Sequence, residues 1–156
     1  MKLCLWVGFV CCLAACSSSE AQDTETESFS TSSKTLALEL IPKLIFRADW
    51  SIIETSSLVG GYPVDLIYDI ARQPGCRRTY NGLPAWSVWV NYRIDDGRVG
   101  RAFFTMLVNG VQEVNPVRIQ LPAGSRKLAV WFESSGIGGC HTYDSNFGLD
   151  YTFDIE

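Results

Sequence analysis

Trp86-Ser87-Val88-Trp89-Val90-Asn91-Tyr92-Arg93-Ile94-Asp95-Asp96-Gly97 is the most regular stretch of the 156-residue chain. In an extended backbone Trp86, Val88, Val90 and Tyr92 point one way, and Ser87, Trp89, Asn91 and Arg93 point the other. A period of two with one apolar side marks a half-buried β-strand. Asp95-Asp96-Gly97 closes it as a short hairpin loop, with glycine where a positive φ is needed. A return strand is predicted from about 98 to 108.

The same pattern continues toward the C-terminus. Asn109-Gly110 is a second hairpin turn, after which the chain runs through Val111, Val114 and Val117 to Leu121. Pro122-Ala123-Gly124 is another turn. Leu128, Val130 and Phe132 then alternate with Ala129, Trp131 and Glu133, and Gly136, Gly138 and Gly139 form the next loop. Asp144-Ser145-Asn146 and Gly148 are a dense turn signal. Leu149, Tyr151, Phe153 and Ile155 alternate with Asp150, Thr152, Asp154 and Glu156 as a closing strand.

Toward the N-terminus, Leu36, Leu38 and Leu40 alternate with Ala37 and Glu39, and Lys43 to Trp50 is a further strand candidate. Residues 51–55 continue it after a kink at Asp49, before the turn residues Ser56-Ser57 and Gly60-Gly61. Val64, Leu66, Tyr68 and Ile70 alternate with Asp65, Ile67, Asp69 and Ala71. Val64, Ile67, Tyr68 and Ala71 also fit helical spacing, but the flanking Pro63 and Pro74-Gly75 and the β-branched content favour a strand. Seven or eight short strands at this spacing predict an all-β fold, an immunoglobulin-like antiparallel β-sandwich forming a single domain over residues 36–156.

The start of the chain reads differently. Lys2 precedes an apolar run from Leu3 to Leu13 that ends in Leu13-Ala14-Ala15-Cys16. The run falls short of the ~20 residues a permanent span needs. Its end resembles the lipobox of bacterial lipoproteins, in which the cysteine is acylated, palmitate being one such chain, and becomes the new N-terminus. Residues 1–15 are then a signal peptide and Cys16 the lipidation site. Cys4, Cys11 and Cys12 serve as small apolar residues within the run. A plain secretory peptide, cleaved to leave a soluble protein, is the alternative. Residues 16–35 are a disordered tether with four acids against Lys34 alone, too polar to bury a core. The expected location is the cell envelope, with the membrane as partner through Cys16. Ser17 directs the protein to the outer membrane if the cell has two.

Thirteen Lys and Arg against 17 Asp and Glu give a net charge of −4 with no basic stripe, so nucleic acid is not an expected partner. Once the first 16 residues are set aside, Cys76 and Cys140 remain. Two spare cysteines in an exported domain are expected to pair. The loop they close is long enough to gain about 4 kcal/mol in the chain-entropy model.

Tyr143-Asp144-Ser145-Asn146-Phe147-Gly148-Leu149-Asp150-Tyr151 resembles the closing motif Trp-Asp-Asn-Asn-x-Gly-x-Asn-Tyr of starch- and glycogen-binding modules, which are immunoglobulin-like sandwiches. Asp144, Asn146, Gly148 and Tyr151 match, whereas Tyr143 replaces Trp, Ser145 replaces Asn and Asp150 replaces Asn. The resemblance implies that this loop holds sugar hydroxyls, and it covers nine residues. A wider resemblance, from about Leu44 onward, is to an uncharacterised family of secreted bacterial domains. It is carried by Tyr68-Asp69, Cys76-Arg77, Pro84-Ala85-Trp86, Leu121-Pro122, Trp131-Phe132 and the Cys140 to Tyr151 loop, and it implies a fold and a bridge but no activity.

Sugar recognition needs flat aromatic faces for apolar ring faces and fixed polar groups for hydroxyls. Trp89 shares its strand face with Asn91 and Arg93, and Trp131 shares its face with Glu133. With Tyr143 they are the candidate platform, and Asp144, Asn146 and Asp150 are the candidate polar contacts. The competing reading is that the indoles cap the core, as Trp86 is expected to do on the apolar side. Asp144, Asn146 and Asp150 also offer oxygens for calcium, but an Asx turn made by Asp144 is the preferred account. No metal and no cofactor are expected. His141 stands three residues before Asp144, but no nucleophile elbow and no paired-histidine zinc motif accompanies it, so the protein is not expected to be an enzyme. Two functions fit: a glycan-binding module on a lipid anchor, or a structural or protein-interaction envelope lipoprotein without a carbohydrate ligand.

Overall fold

The computed structural model describes residues 41–156. The segments expected to be a signal peptide and a tether, the lipidation site expected at Cys16 and the strand expected through Leu36, Leu38 and Leu40 lie outside the described residues. Within them the chain is all-β. β1 (Lys43–Phe46) and β2 (Ile52–Glu54) form a hairpin, and β3 (Pro63–Tyr68) leads into a 3-10 turn over Ile70–Arg72. β4 (Thr79–Tyr80) and β5 (Leu83–Pro84) make a small ribbon. β6 (Trp86–Ile94) turns back as β7 (Gly100–Phe103), and β8 (Thr105–Val108) with β9 (Val111–Val114) makes a second ribbon. β10 (Val117–Gln120), β11 (Lys127–Gly136), β12 (Cys140–Asp144) and β13 (Tyr151–Asp154) complete the order.

Two sheets face each other. The first runs β10-β3-β1-β2. Its pairs are antiparallel except β1 with β3, which run parallel. The second has β6 at its centre, β7 on one side and β11 on the other. The far edge of β11 is shared: β13 pairs with Lys127–Val130 and β12 with Phe132–Gly136. The inward side chains of both sheets meet in one core. Leu44, Phe46, Leu66 and Tyr68 come from the first sheet, and Val88, Val90, Val130 and Phe132 from the second. Each such side chain contributes about 1.5–3 kcal/mol of transfer free energy when fully buried. At the centre Tyr68 stacks on Phe132 at 4.0 Å, and Phe46 meets Phe132 edge-on at 4.6 Å.

The expected all-β sandwich is present, with the parallel β1–β3 pair a departure from the antiparallel pairing expected, and β6 has the expected bounds. Several boundaries differ. Residues 51–55 do not continue the first strand past a kink. The chain reverses at 47–51, where Asp49 accepts hydrogen bonds from Ser51, and β2 folds back on β1. The expected 98–108 strand is two strands, because Phe104 turns fully into the core between them. In the 95–97 turn the positive φ falls on Asp95 (49°), not on Gly97. Asp95 earns its place by accepting from the Arg126 and Lys127 amides. Leu149 is 77% exposed and precedes the last strand rather than belonging to it. Residues 140–144, read from the sequence as loop, are a strand.

Candidate functional site

The outer face of the second sheet is where the aromatic candidates lie. Strand register sets its layout. Tyr143 pairs with Glu133, Glu133 with Trp89, and Trp89 with Phe103, so these four form one row across β12, β11, β6 and β7. The next row on one side is Trp131, Asn91 and Arg101, and on the other His141, Ser135 and Ser87. Neighbouring strands are ~4.8 Å apart, so Tyr143 and Trp89 stand roughly 10 Å apart. Trp131 lies one row along, on the strand between them. The structure therefore brings Trp89, Trp131 and Tyr143 onto one face of one sheet.

Their exposure differs. Tyr143 is 61% exposed, while both indoles are half-buried. The Trp89 ring is covered in part by the Arg101 guanidinium at 3.9 Å and packs on Phe103, and its Nε1 donates to Ser135 Oγ at 3.2 Å. Between Trp89 and Tyr143 lies Glu133, 7% exposed although it points outward. Arg101 donates to its Oε2 at 2.8 Å, and His141 Nδ1 lies 2.8 Å from its Oε1. The carboxylate is thus a fixed anionic centre flanked by two side chains that themselves reach solvent. Trp86 packs against the core on the inward side, where the strand's parity places it.

The loop candidates separate. β12 alternates, with Cys140, Thr142 and Asp144 turned inward and His141 and Tyr143 outward. Asp144 is 4% exposed. It accepts from Tyr68 at 3.0 Å, from Arg72 Nε at 2.8 Å and from Tyr151 at 2.5 Å. All three bonds come from side chains and none from a backbone amide, so Asp144 does not make the expected Asx turn, and its buried carboxylate does not share the outer face with Tyr143. The turn is capped by Ser145, whose Oγ accepts from the Gly148 amide at 3.2 Å. Asn146 is exposed, with Nδ2 3.4 Å from the Asp150 carbonyl, and Asp150 is half-exposed beside the sheet edge. Among the described residues no three His, Cys, Asp or Glu side chains are grouped to hold a metal ion, and no helix is long and apolar enough to cross a membrane.

Arg72 is the residue that sequence reasoning missed. Its guanidinium donates to Asp144, to the Tyr151 hydroxyl at 2.8 Å and to the Arg47 carbonyl at 3.2 Å. The rings of Phe46, Trp50, Tyr68 and Tyr151 all lie within 6 Å of it, the range of cation–π attraction. Burial works against the cation, but the hydrogen bond and charge of Asp144 more than offset it, and its pKa lies above the ordinary arginine value. No local motif announces this role. At the other end of β12, Cys140 is bonded to Cys76, with Cα atoms 5.5 Å apart. The outward residues of β12 thus stand on a strand clamped at both ends.

The chain belongs to DUF6209, a family of unknown function, whose model matches residues 5–156. That agrees with the expectation of an uncharacterised family and assigns no activity. No curated protein and no solved structure matches the chain.

Proposed function

We propose that this protein is a lipid-anchored envelope protein whose β-sandwich is a non-catalytic glycan-binding module, with the outer face of the second sheet as its binding surface. One observation carries the reading: Tyr143, Trp131 and Trp89 share that face around the fixed carboxylate of Glu133. Aromatic faces suit the apolar faces of sugar rings, and held polar groups suit hydroxyls. Little entropy is lost on binding, because the strands preorganise both. Asn146 and Asp150 border the same edge and extend the polar rim.

The test is retention of the protein on immobilised polysaccharides, starch and glycogen first. Tyr143→Ala and Trp131→Ala should each weaken retention about tenfold or more, the loss typical of an aromatic anchor, and Tyr143→Ala should do so with melting temperature unchanged. A parent protein retained by no glycan would refute the module. The anchor is tested apart from it. Cys16→Ala should release the protein from the membrane fraction or leave the precursor uncleaved, and unchanged processing and fractionation would refute lipidation.

A second reading has its own support. The partial cover of Trp89 by Arg101 and Phe103 is what a structural sheet face would show. On that reading the domain is a protein-interaction module of the envelope with no carbohydrate ligand. Trp89→Ala would then destabilise the fold, and no glycan would bind the parent.

A further inference from the structure

The aromatic face runs directly into a cleft of a different character. Its volume is about 690 Å³, and Ser87, Phe103 and Ser135 of the outer face also line it. Trp86, Met106, Leu107 and Ile137 line it too, beside the polar Thr105 and Gln112. Ligand sites of this size, roughly 300–1,000 Å³, are usual for small molecules. The outer wall is the β8–β9 ribbon, which belongs to neither sheet. Its base is fixed: the Val88 amide donates to Thr105 Oγ1 at 2.9 Å, and the Asn115 amide donates to the Phe104 carbonyl at 2.8 Å. Its side chains at the rim are left in water, with Met106 60% and Leu107 46% exposed, and Phe103 at the junction is exposed as well. Methionine is unbranched and adapts to irregular apolar shapes.

We infer that the site takes an amphiphilic glycoconjugate, with its sugar on the Tyr143–Glu133–Trp89 row and its alkyl or acyl chain in the cleft behind Met106 and Leu107. The inference rests on the glycan reading of the face and adds the class of ligand. Two features favour such a ligand. The face offers a carboxylate, an imidazole and a guanidinium between aromatics, which suits hydroxyls. The cleft walls offer mostly carbon and sulfur, against which a sugar's hydroxyls would lose their hydrogen bonds. Phe103 belongs to both, so a molecule polar at one end and apolar at the other spans them without a gap. The serine pair at the floor, with Ser87 and Ser135 Oγ atoms 3.0 Å apart, lies where the sugar would meet the chain, within reach of a glycosidic oxygen.

Calorimetry on the protein with decyl maltoside below its critical micelle concentration, with maltose, and with the sugar-free decyl dimethylamine oxide tests this. A fully buried methylene strengthens binding roughly fourfold, so decyl maltoside should bind about 100-fold or more tighter than maltose. The amine oxide should bind far more weakly than decyl maltoside. Met106→Glu with Leu107→Glu changes exposed rim positions. It should remove the alkyl increment and leave maltose affinity unchanged. Tyr143→Ala should weaken both sugars alike. Equal affinity for decyl maltoside and maltose would overturn the inference and leave the glycan module standing. Equal affinity for decyl maltoside and the amine oxide would also overturn it, the cleft then being an apolar site indifferent to sugar. Binding of none of the three would count against the glycan reading and the inference together.

Discussion

Asp144 and Arg72 are a charged pair with almost no side chain left in water, 2% and 0%. Burying two charges costs several kcal/mol each, and the cost is met only when both are paired and fully hydrogen-bonded. Here three donors reach the carboxylate, and the guanidinium also donates to Tyr151 and to the Arg47 and Ser51 carbonyls. Asp144→Ala would strand the Arg72 cation and should lower stability by about 3–5 kcal/mol. Tyr143→Ala, one residue earlier but facing outward, should change stability by no more than about 0.5 kcal/mol. Chemical denaturation of the two variants checks the contrast. The Tyr68 hydroxyl, held against Asp144, has its pKa pushed well up, by burial first and by the Asp144 charge second, and Tyr151 is raised by burial first and by its hydrogen bond to Asp144 second. Above about pH 10 the unfolded chain loses these protons while the folded one keeps them. Stability is therefore full below that pH and falls as pH rises further. Melting temperatures between pH 8 and pH 11 should show the fall, and Tyr68→Phe should make it shallower while costing some stability at neutral pH. The sequence offers Asp144 as a turn former and as a polar contact of the loop, and not as the buried partner of Arg72. Spacing alone does not say which way a side chain points, but the parity of β12 does. With Cys140 turned inward to its disulfide, Thr142 and Asp144 must follow it, and His141 and Tyr143 must face out.

β12 and β13 are in effect one edge strand with an excursion. Asp144 is paired with Phe132, and Tyr151 with Val130, so residues 145–150 stand where the β11 ladder has room for the single partner of Trp131. The excursion is closed by the Asp150 amide donating to the Ser145 carbonyl at 2.8 Å. Its tightness forces Asn146, Phe147 and Asp150 to φ of 49°, 59° and 58°. Asn and Asp accept that region readily, but an aromatic residue does not. Phe147 is also fully exposed, so it gains no packing in return. Phe147→Gly should leave stability unchanged or raise it by up to about 1 kcal/mol, as strain relief outweighs the added chain entropy. Phe147→Val, β-branched in the same backbone, should lower it. Thermal melts of both variants decide this, and equal losses would mean that the ring makes contacts of its own. The regular strands were legible because alternation survives wherever one face is buried and the other wet, as in β6. β12 was hidden between a glycine-rich loop and a dense turn signal. β4 and β5, two residues each, are too short to show a period, and the break at Phe104 needs knowledge of what the core requires.

At the scale of the whole domain, the segment that follows β3 crosses from the first sheet to the second and holds β12 at both ends. Arg72 grips Asp144 at one end, and Cys76 is bonded to Cys140 at the other. Between them the backbone lies against its partners at close range. A Cβ on Gly136 would stand 2.3 Å from the Cys76 carbonyl oxygen, and one on Gly75 would stand 2.9 Å from Thr142. The clamp has a covalent half and an electrostatic half, which are separable because they act on opposite ends of the strand. The bridge spans 64 residues in sequence, and its removal should cost about 4 kcal/mol, mostly by freeing the unfolded chain. The folded strand would keep its Arg72 anchor beside Tyr143, so the outer face should keep its shape. Replacing both Cys76 and Cys140 with Ala should therefore lower the denaturation midpoint sharply while leaving glycan retention intact wherever the protein is still folded. Asp144→Ala should do the reverse in proportion: at conditions where it remains folded, loosening the Tyr143 end should weaken retention as well. Equal stability of the parent with and without a reducing agent would mean that the bridge does not act through the unfolded chain. Loss of retention in the folded double-alanine variant would place the Cys140 end of β12, with His141, within the binding surface itself.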